Sequence, residues 1–134
     1  MRILICGDRN WTDKEKIKSV IKVMLNRHGS ITVIQGEARG ADRLAKEAAL
    51  ELGCEVLSFP ANWTKHGQAA GPIRNQQMLE EGKPEYVIAF HENIHQSKGT
   101  KDMVTRSRKA GLTAIVIGEE ATSMIRQQWS VLKD

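Results

Sequence analysis

Five short apolar runs recur along the chain: Arg2–Cys6 (RILIC), Ile31–Ile34 (ITVI), Cys54–Phe59 (CEVLSF), Tyr86–Phe90 (YVIAF) and Thr113–Ile117 (TAIVI). Each is four to six residues long and most are rich in β-branched side chains, the mark of strands buried on both faces. Between them the pattern changes period. Ile17, Val20, Ile21, Met24 and Leu25 fall at i, i+3, i+4, i+7 and i+8, which predicts an amphipathic helix. Thr12 with Glu15 three residues on reads as its capping box, and Gly29 as its stop. Ala41–Ala49 is strongly helical in composition and ends before Gly53. A third helix is expected from Pro72 to Glu81, with Pro72 at its first position and Arg74 and Asn75 in its first turn. A fourth is expected from Gly99 to Ala110.

Strands alternating with helices predict an α/β fold: a Rossmann-like three-layer sandwich with a five-stranded, mainly parallel sheet and helices on both faces. The expected domain covers residues 1–118. Residues 119–134, with Met124, Ile125, Trp129 and Leu132 in a loose helical stripe, are expected to be a helical extension packed on it.

The bulk properties narrow the picture. A chain of 134 residues with 40% hydrophobic and 27% charged residues suits one domain with a real core. It has no apolar run near the roughly 20 residues of a membrane span, and its N-terminal apolar run is too short for a signal peptide. A cytoplasmic protein without a membrane partner is therefore expected. Cys6 and Cys54 have no metal-ligand spacing and read as buried free thiols. His91 and His95 stand four apart, but in a loop-like segment, so no metal and no cofactor is expected. The net charge of +4 permits an anionic partner. The 4% aromatic content argues against a stacking platform for single-stranded nucleic acid. Lys14, Lys16, Lys18 and Lys22 read most simply as a solvated face.

The candidate chemistry lies in the loops that follow the strands, because ligands of such sheets bind beyond the strands' carboxyl ends. The segment Gly36-Glu37-Ala38-Arg39-Gly40 joins a strand to a helix, which suits phosphate binding by backbone amides and a helix N-terminus. Gly7 and Arg9, Lys65 and His66, and Gly99 and Thr100 follow other strands. The long connection from Ala61 to Pro72 has the length of a functional loop. Arg74 at a helix start implies an anion nearby, or a structural pair with Asp42 or Asp102. Neither GxGxxG nor GxxxxGK[ST] occurs, so a standard dehydrogenase or ATPase is not expected.

Four runs, taken together, carry a resemblance. They are Gly7-Asp8-Arg9-x-Trp11-Thr12-Asp13, Gly36-x-Ala38-Arg39-Gly40-Ala41-Asp42, Trp63-x-x-His66-Gly67-x-Ala69-Ala70-Gly71-Pro72-Ile73-Arg74-Asn75-x-x-Met78 and Gly99-Thr100-x-Asp102-Met103. In this order the chain resembles the YspA-type family of the SLOG superfamily of Rossmann-like domains. It is more distantly similar to the LOG phosphoribohydrolases, which cleave the N-glycosidic bond of nucleoside monophosphates. Their PGGxGTxxE loop is matched here only by Gly99-Thr100, with Asp102 in place of an acidic residue; Arg74 would match their arginine.

What the resemblance implies is a nucleotide-like ligand held by Gly7, Arg9, Gly36, Arg39, Gly40, Asp42, His66, Arg74, Asn75, Gly99 and Thr100. In the enzymatic version, an N-glycosidase, Arg74 orients or neutralises and Asp102 acts on the ribose. In the alternative the domain senses or sequesters a nucleotide signal without chemistry. A third reading, DNA handling by analogy with the DNA-uptake proteins, rests on net charge and the lysines alone, so no nucleic acid partner is expected. LOG-like proteins assemble as dimers or larger, so a homo-oligomer is expected, with Trp129 as a candidate interface residue.

Overall fold

The computed structural model describes residues 1–118. The helical extension expected over 119–134 and the interface expected around Trp129 lie outside the described residues.

The elements run β1 (Arg2–Gly7), α1 (Lys14–His28), β2 (Thr32–Gln35), α2 (Ala41–Glu51), β3 (Glu55–Ser58), α3 (Trp63–His66), α4 (Ala70–Gln77), β4 (Tyr86–Phe90), α5 (Lys98–Lys109) and β5 (Thr113–Ile117). The strands pair in the order β3-β2-β1-β4-β5, and every pairing is parallel. From β1 the chain winds outward through β2 to β3, then crosses to the far side of β1 and continues to β5. The order therefore reverses between β1 and β4, at the middle of the sheet.

Alternate residues of each strand face opposite layers, as a pleated strand requires. Ile3, Ile5, Val33, Ile88, Phe90 and Ile115 pack with Ile17, Val20, Ile21 and Met24 of α1 and the alanines of α2. Leu4, Cys6, Ile34, Val87, Ala89 and Ala114 pack with Met78, Met103 and Val104 on the other face. The α2 face is built from Ala41, Ala45, Ala48 and Ala49, all buried, so this helix lies close on the sheet. Both sheet faces are thus covered, which is why the strands read as continuous apolar runs rather than alternating ones.

Three local expectations are corrected. The N-cap of α1 is Asp13, whose carboxylate accepts the Lys16 amide at 3.0 Å, not Thr12. Trp11 causes the shift: its ring is buried against Phe90 and its Nε1 donates to the Asp13 carbonyl, so the chain turns into the helix one residue later. The connection from Ala61 to Pro72 is not a long loop. It holds α3, a 3-10 turn over Gly67–Ala69 and the start of α4. Pro72 is consequently the third residue of α4, and a π-helical turn follows over Met78–Gly82. Finally, α5 begins at Lys98 with Ser97 as cap, its hydroxyl accepting the Thr100 amide at 3.1 Å.

Candidate functional site

Two adjoining cavities open at the carboxyl edge of the sheet. The smaller, about 460 Å³, sits at the reversal between β1 and β4 and includes Gly7, Asp8, Arg9, Arg39, Asp42, Arg74, Asn75, His91, Gly99 and Thr100 in its walls. The larger, about 850 Å³, lies over β2 and β3 and includes Gly36, Glu37, Arg43, Lys46, Ser58 and Trp63. Arg9, Ala38, Arg39 and Arg74 belong to both walls and form the ridge between them.

Gly7 makes the smaller cavity possible. A Cβ there would overlap the Phe90 carbonyl and lie 2.8 Å from the Ala41 side chain, so only glycine lets the end of β1 pass between β4 and the start of α2. The next residue ties the corner together. The Asp8 amide donates to the Phe90 carbonyl at 2.8 Å, while the Asp8 carbonyl accepts the amides of Trp11 and Ala41. That last bond caps α2, whose N-cap Gly40 has no side chain to do so. Gly40 itself has φ 80° and is pressed against the Asp8 carbonyl. Its part is this close backbone approach; it lines neither cavity.

Asp42 folds the β2 loop back onto α2. Its Oδ2 accepts the amides of Gly36 at 3.2 Å and Ala38 at 3.3 Å. Burial is the dominant influence on this carboxyl and raises it to about 6, with Arg74 and the two amides pulling the other way. Glu37 behaves oppositely. Bonds from Lys46 Nζ and Gln35 Nε2, both 2.8 Å to Oε1, lower its carboxyl to about 2. Its backbone adopts φ 61°, a left-handed conformation uncommon for a non-glycine residue. The fully buried Gln35 holds it there, with Oε1 accepting the Glu37 amide at 2.6 Å.

Arg74 is the central cation. Its Nη1 donates to the Gly36 carbonyl at 2.6 Å and its Nε to Asn75 Oδ1 at 3.1 Å. Asn75 in turn donates through Nδ2 to Asp102 Oδ2 at 2.9 Å, and Arg106 Nε donates to the same oxygen at 2.8 Å. Burial lowers the Arg74 guanidinium's affinity for its proton, partly offset by Asp42. It stands in the last turn of α4, not the first turn of a helix. The anion inferred from its expected place at a helix start loses that argument, but the observed placement supplies another: both acceptors of this half-buried cation are neutral.

The structure brings Gly7, Arg9, Arg39, Asp42, Arg74, Asn75, Gly99 and Thr100 to one cavity and Gly36 to the next. Three expected residues do not join them: Gly40, which serves the backbone corner described above, His66 and Asp102. His66 ends α3, partly exposed, and lines neither cavity. Asp102 lines a separate groove between α4 and α5 with Gln76, Thr105 and Arg106. The reason is helix geometry: Asp102 lies four residues before Arg106 on the face of α5 turned toward α4, whereas Thr100 and Met103 face the cavity.

Sequence reasoning missed Asp8, Glu37, Lys46, Trp63 and His91. Asp8 and His91 end neighbouring strands, and His91 Nε2 lies 3.9 Å from Asp8 Oδ2. Strand order could have paired them; nothing local signalled Lys46. The lysines of α1 are partly explained by the fold, since Lys14 and Lys18 pair with Glu51 of α2. This removes much of the support for a DNA-binding face. No helix among the described residues is long and apolar enough to cross a membrane.

An all-parallel sheet of order 3-2-1-4-5 with a cationic cleft at its reversal point defines a Rossmann-like domain. Residues 1–66 match the model of the YspA, cpYpsA-related SLOG family. The chain is also 31% identical over 125 residues to the Gene 61 protein of Mycobacterium phage D29, spanning 89% of this chain and 98% of that one. The chain belongs to the YspA, cpYpsA-related SLOG family. Among solved structures, DNA processing protein A (DprA) from Streptococcus pneumoniae is similar with a TM-score of 0.72 at 17% identity, over 92% of this chain. The likeness is one of fold, and the match spans only 52% of the DprA chain.

Proposed function

We propose that this protein binds a nucleotide or nucleotide-derived phosphate ligand at the carboxyl edge of its sheet. The observation that carries the reading is Arg74: a half-buried guanidinium, held by two neutral acceptors, on the ridge where Arg9 and Arg39 also converge. Asp42 offsets only part of the cost of burying this cation, and a further counter-charge would offset more. A phosphate in the smaller cavity supplies one, and Gly99 and Thr100 at the start of α5 line the same space, the Thr100 amide being taken by the Ser97 hydroxyl. The reading is of binding first, as in a sensor or sequestering module, because the carboxylate expected to act on the ribose, Asp102, faces another groove.

Cleavage of an N-glycosidic bond is the second reading. One observation favours it: the Glu37 carboxylate, ionised at neutral pH, stands in the wall of the larger cavity within the same cleft. A carboxylate beside a ribose stabilises oxocarbenium character.

The test is a thermal-shift series with inorganic phosphate, ribose 5-phosphate and the four ribonucleoside 5′-monophosphates, each incubated and analysed by mass spectrometry. A ligand at one hundred times its dissociation constant adds about 2.7 kcal/mol of stability. Stabilisation lost in Arg74→Ala, with that variant folded, is expected. Release of free base establishes cleavage, and an intact ligand establishes binding alone. No stabilisation by any of these compounds overturns the proposal.

A further inference from the structure

The phosphate site leaves the larger cavity without an occupant, although its walls are equipped for one. Trp63 is 50% exposed, one of few large apolar side chains so placed among the described residues. The ring is not simply adrift on the surface. A Cβ on the buried Gly71 would lie 3.5 Å from its far edge, so the start of α4 lies against that edge. The Arg9 guanidinium carbon lies over the ring, 6.0 Å from its centre. A planar base stacked between the two needs about 7 Å, two van der Waals separations, which an exposed arginine provides by moving about 1 Å.

The second observation is Glu37. A non-glycine residue held at φ 61° by a buried glutamine is a strained conformation that its surroundings over-determine. The side chain so placed lies on the wall of the cavity that Trp63 also lines, where bonds from Lys46 and Gln35 keep it ionised. The remaining charges of that wall are cationic, at Arg9, Arg39, Arg43, Lys46 and Arg74. Glu37 is thus the acidic exception in a site otherwise suited to anions. Lys46 and Gln35 take two of the roughly four acceptor positions of this carboxylate, which leaves it able to accept from ligand hydroxyls as well.

We infer that the larger cavity is a nucleoside subsite: the base stacks on Trp63 beneath Arg9, and the ribose hydroxyls donate to the Glu37 carboxylate. This inference rests on the proposed phosphate site and specifies its ligand class as an intact ribonucleotide whose base adds affinity. Arg9, Arg39 and Arg74, common to both cavities, stand between the phosphate and the nucleoside. Stacking is tolerant of base identity, so all four bases bind with similar strength.

The experiment is calorimetric titration with ribose 5-phosphate, adenosine 5′-monophosphate and its 2′-deoxy form. In the unaltered protein the ribonucleotide is expected to bind roughly 5- to 150-fold more tightly than ribose 5-phosphate, the range that one stacked base carries. Trp63→Ala is expected to remove that advantage, and Trp63→Phe to restore most of it. Glu37→Gly, which suits the positive φ and so folds, is expected to remove the preference for the ribonucleotide over its 2′-deoxy form. Equal binding of ribose 5-phosphate and the nucleotide overturns the subsite while leaving the phosphate site standing. A base advantage that survives Trp63→Ala also overturns it. Failure of every phosphate compound to bind overturns both proposals together.

Discussion

Arg74 lies directly on the backbone of Gly36. The guanidinium occupies the space where a side chain at Gly36 would project: a Cβ there would meet Nη1 at 2.5 Å and Cζ at 2.8 Å. The glycine of the β2 loop is therefore a seat for a cation carried by a different helix. Gly36→Ala should push the flexible arginine aside rather than unfold the protein. The expected result is a loss of at least about tenfold in affinity for a nucleoside monophosphate, roughly the 1–2 kcal/mol that a charge-assisted contact carries. Calorimetry measures the first and thermal melting the second. Unchanged affinity would separate Arg74 from the ligand.

Asp102 is expected to matter to stability more than to ligand binding. Asp102→Asn weakens the pair with Arg106, a partly exposed i, i+4 contact that contributes about 0.5 kcal/mol. An asparagine oxygen still accepts from Asn75, so Arg74 stays in place and affinity should change by less than about threefold. Asn75→Ala removes the acceptor of Arg74 Nε from a buried position and should cost about 1–3 kcal/mol of stability as well as affinity. If Asp102→Asn abolished binding or turnover while Asn75→Ala did not, Asp102 would belong in the site after all.

The buried Asp42 makes stability depend on pH. Its carboxyl is raised to about 6 in the folded chain against 3.8 for an unperturbed aspartate, so the native state binds the extra proton. That contribution is fully present below about pH 4 and is lost as pH rises through 6, on the order of 3 kcal/mol in all. Glu37, lowered to about 2, acts in a separate window: its contribution is present above about pH 4.5 and lost as pH falls through 2. Denaturant melts of Asp42→Asn should show a smaller decline between pH 5 and 8 than the parent chain. A parallel pair of curves would count against the buried, titrating carboxyl.

At Gly7 the obstruction is backbone rather than a movable side chain. Gly7→Ala should destabilise the fold by about 2–3 kcal/mol, in the range for overpacking. The midpoint of urea unfolding is the measurement. A loss below about 0.5 kcal/mol would mean that the corner between β1, β4 and α2 is looser than drawn.

The cap of α1 offers a simple comparison. Asp13→Ala should cost about 1 kcal/mol and Thr12→Ala clearly less, since only Asp13 bonds to a helix amide. The reverse order in thermal melts would return the cap to Thr12.

Much of this architecture was legible from residue types. The five apolar runs became the five strands, with β4 and β5 at the expected bounds, because strands covered on both faces need uninterrupted apolar residues. Gly29 closes α1 as expected, its amide bonded to the Leu25 carbonyl. The segment from Trp63 to Gly82 was less legible. Residues up to Gly71 read as a loop and Pro72 as the start of a helix, yet the chain passes through α, 3-10 and π turns in succession, packed over the sheet. Tertiary packing there outweighs local propensity.

The sequence by itself determined the alternation of elements and the class of residues at the sheet's carboxyl edge, because both follow from periodicity and from the order of strands and loops. Only the tertiary structure decided which of those residues meet. Gly36 and Arg74 are 38 positions apart and are joined by a hydrogen bond across two elements. Asp102, two residues from Thr100, is turned out of the cavity by the pitch of its helix. Glu37 and Trp63 carry no local signal of partnership, and the winding of the chain brings both to one wall. Periodicity specifies which face of an element is buried; which charge faces which cavity depends on the packing of several elements at once.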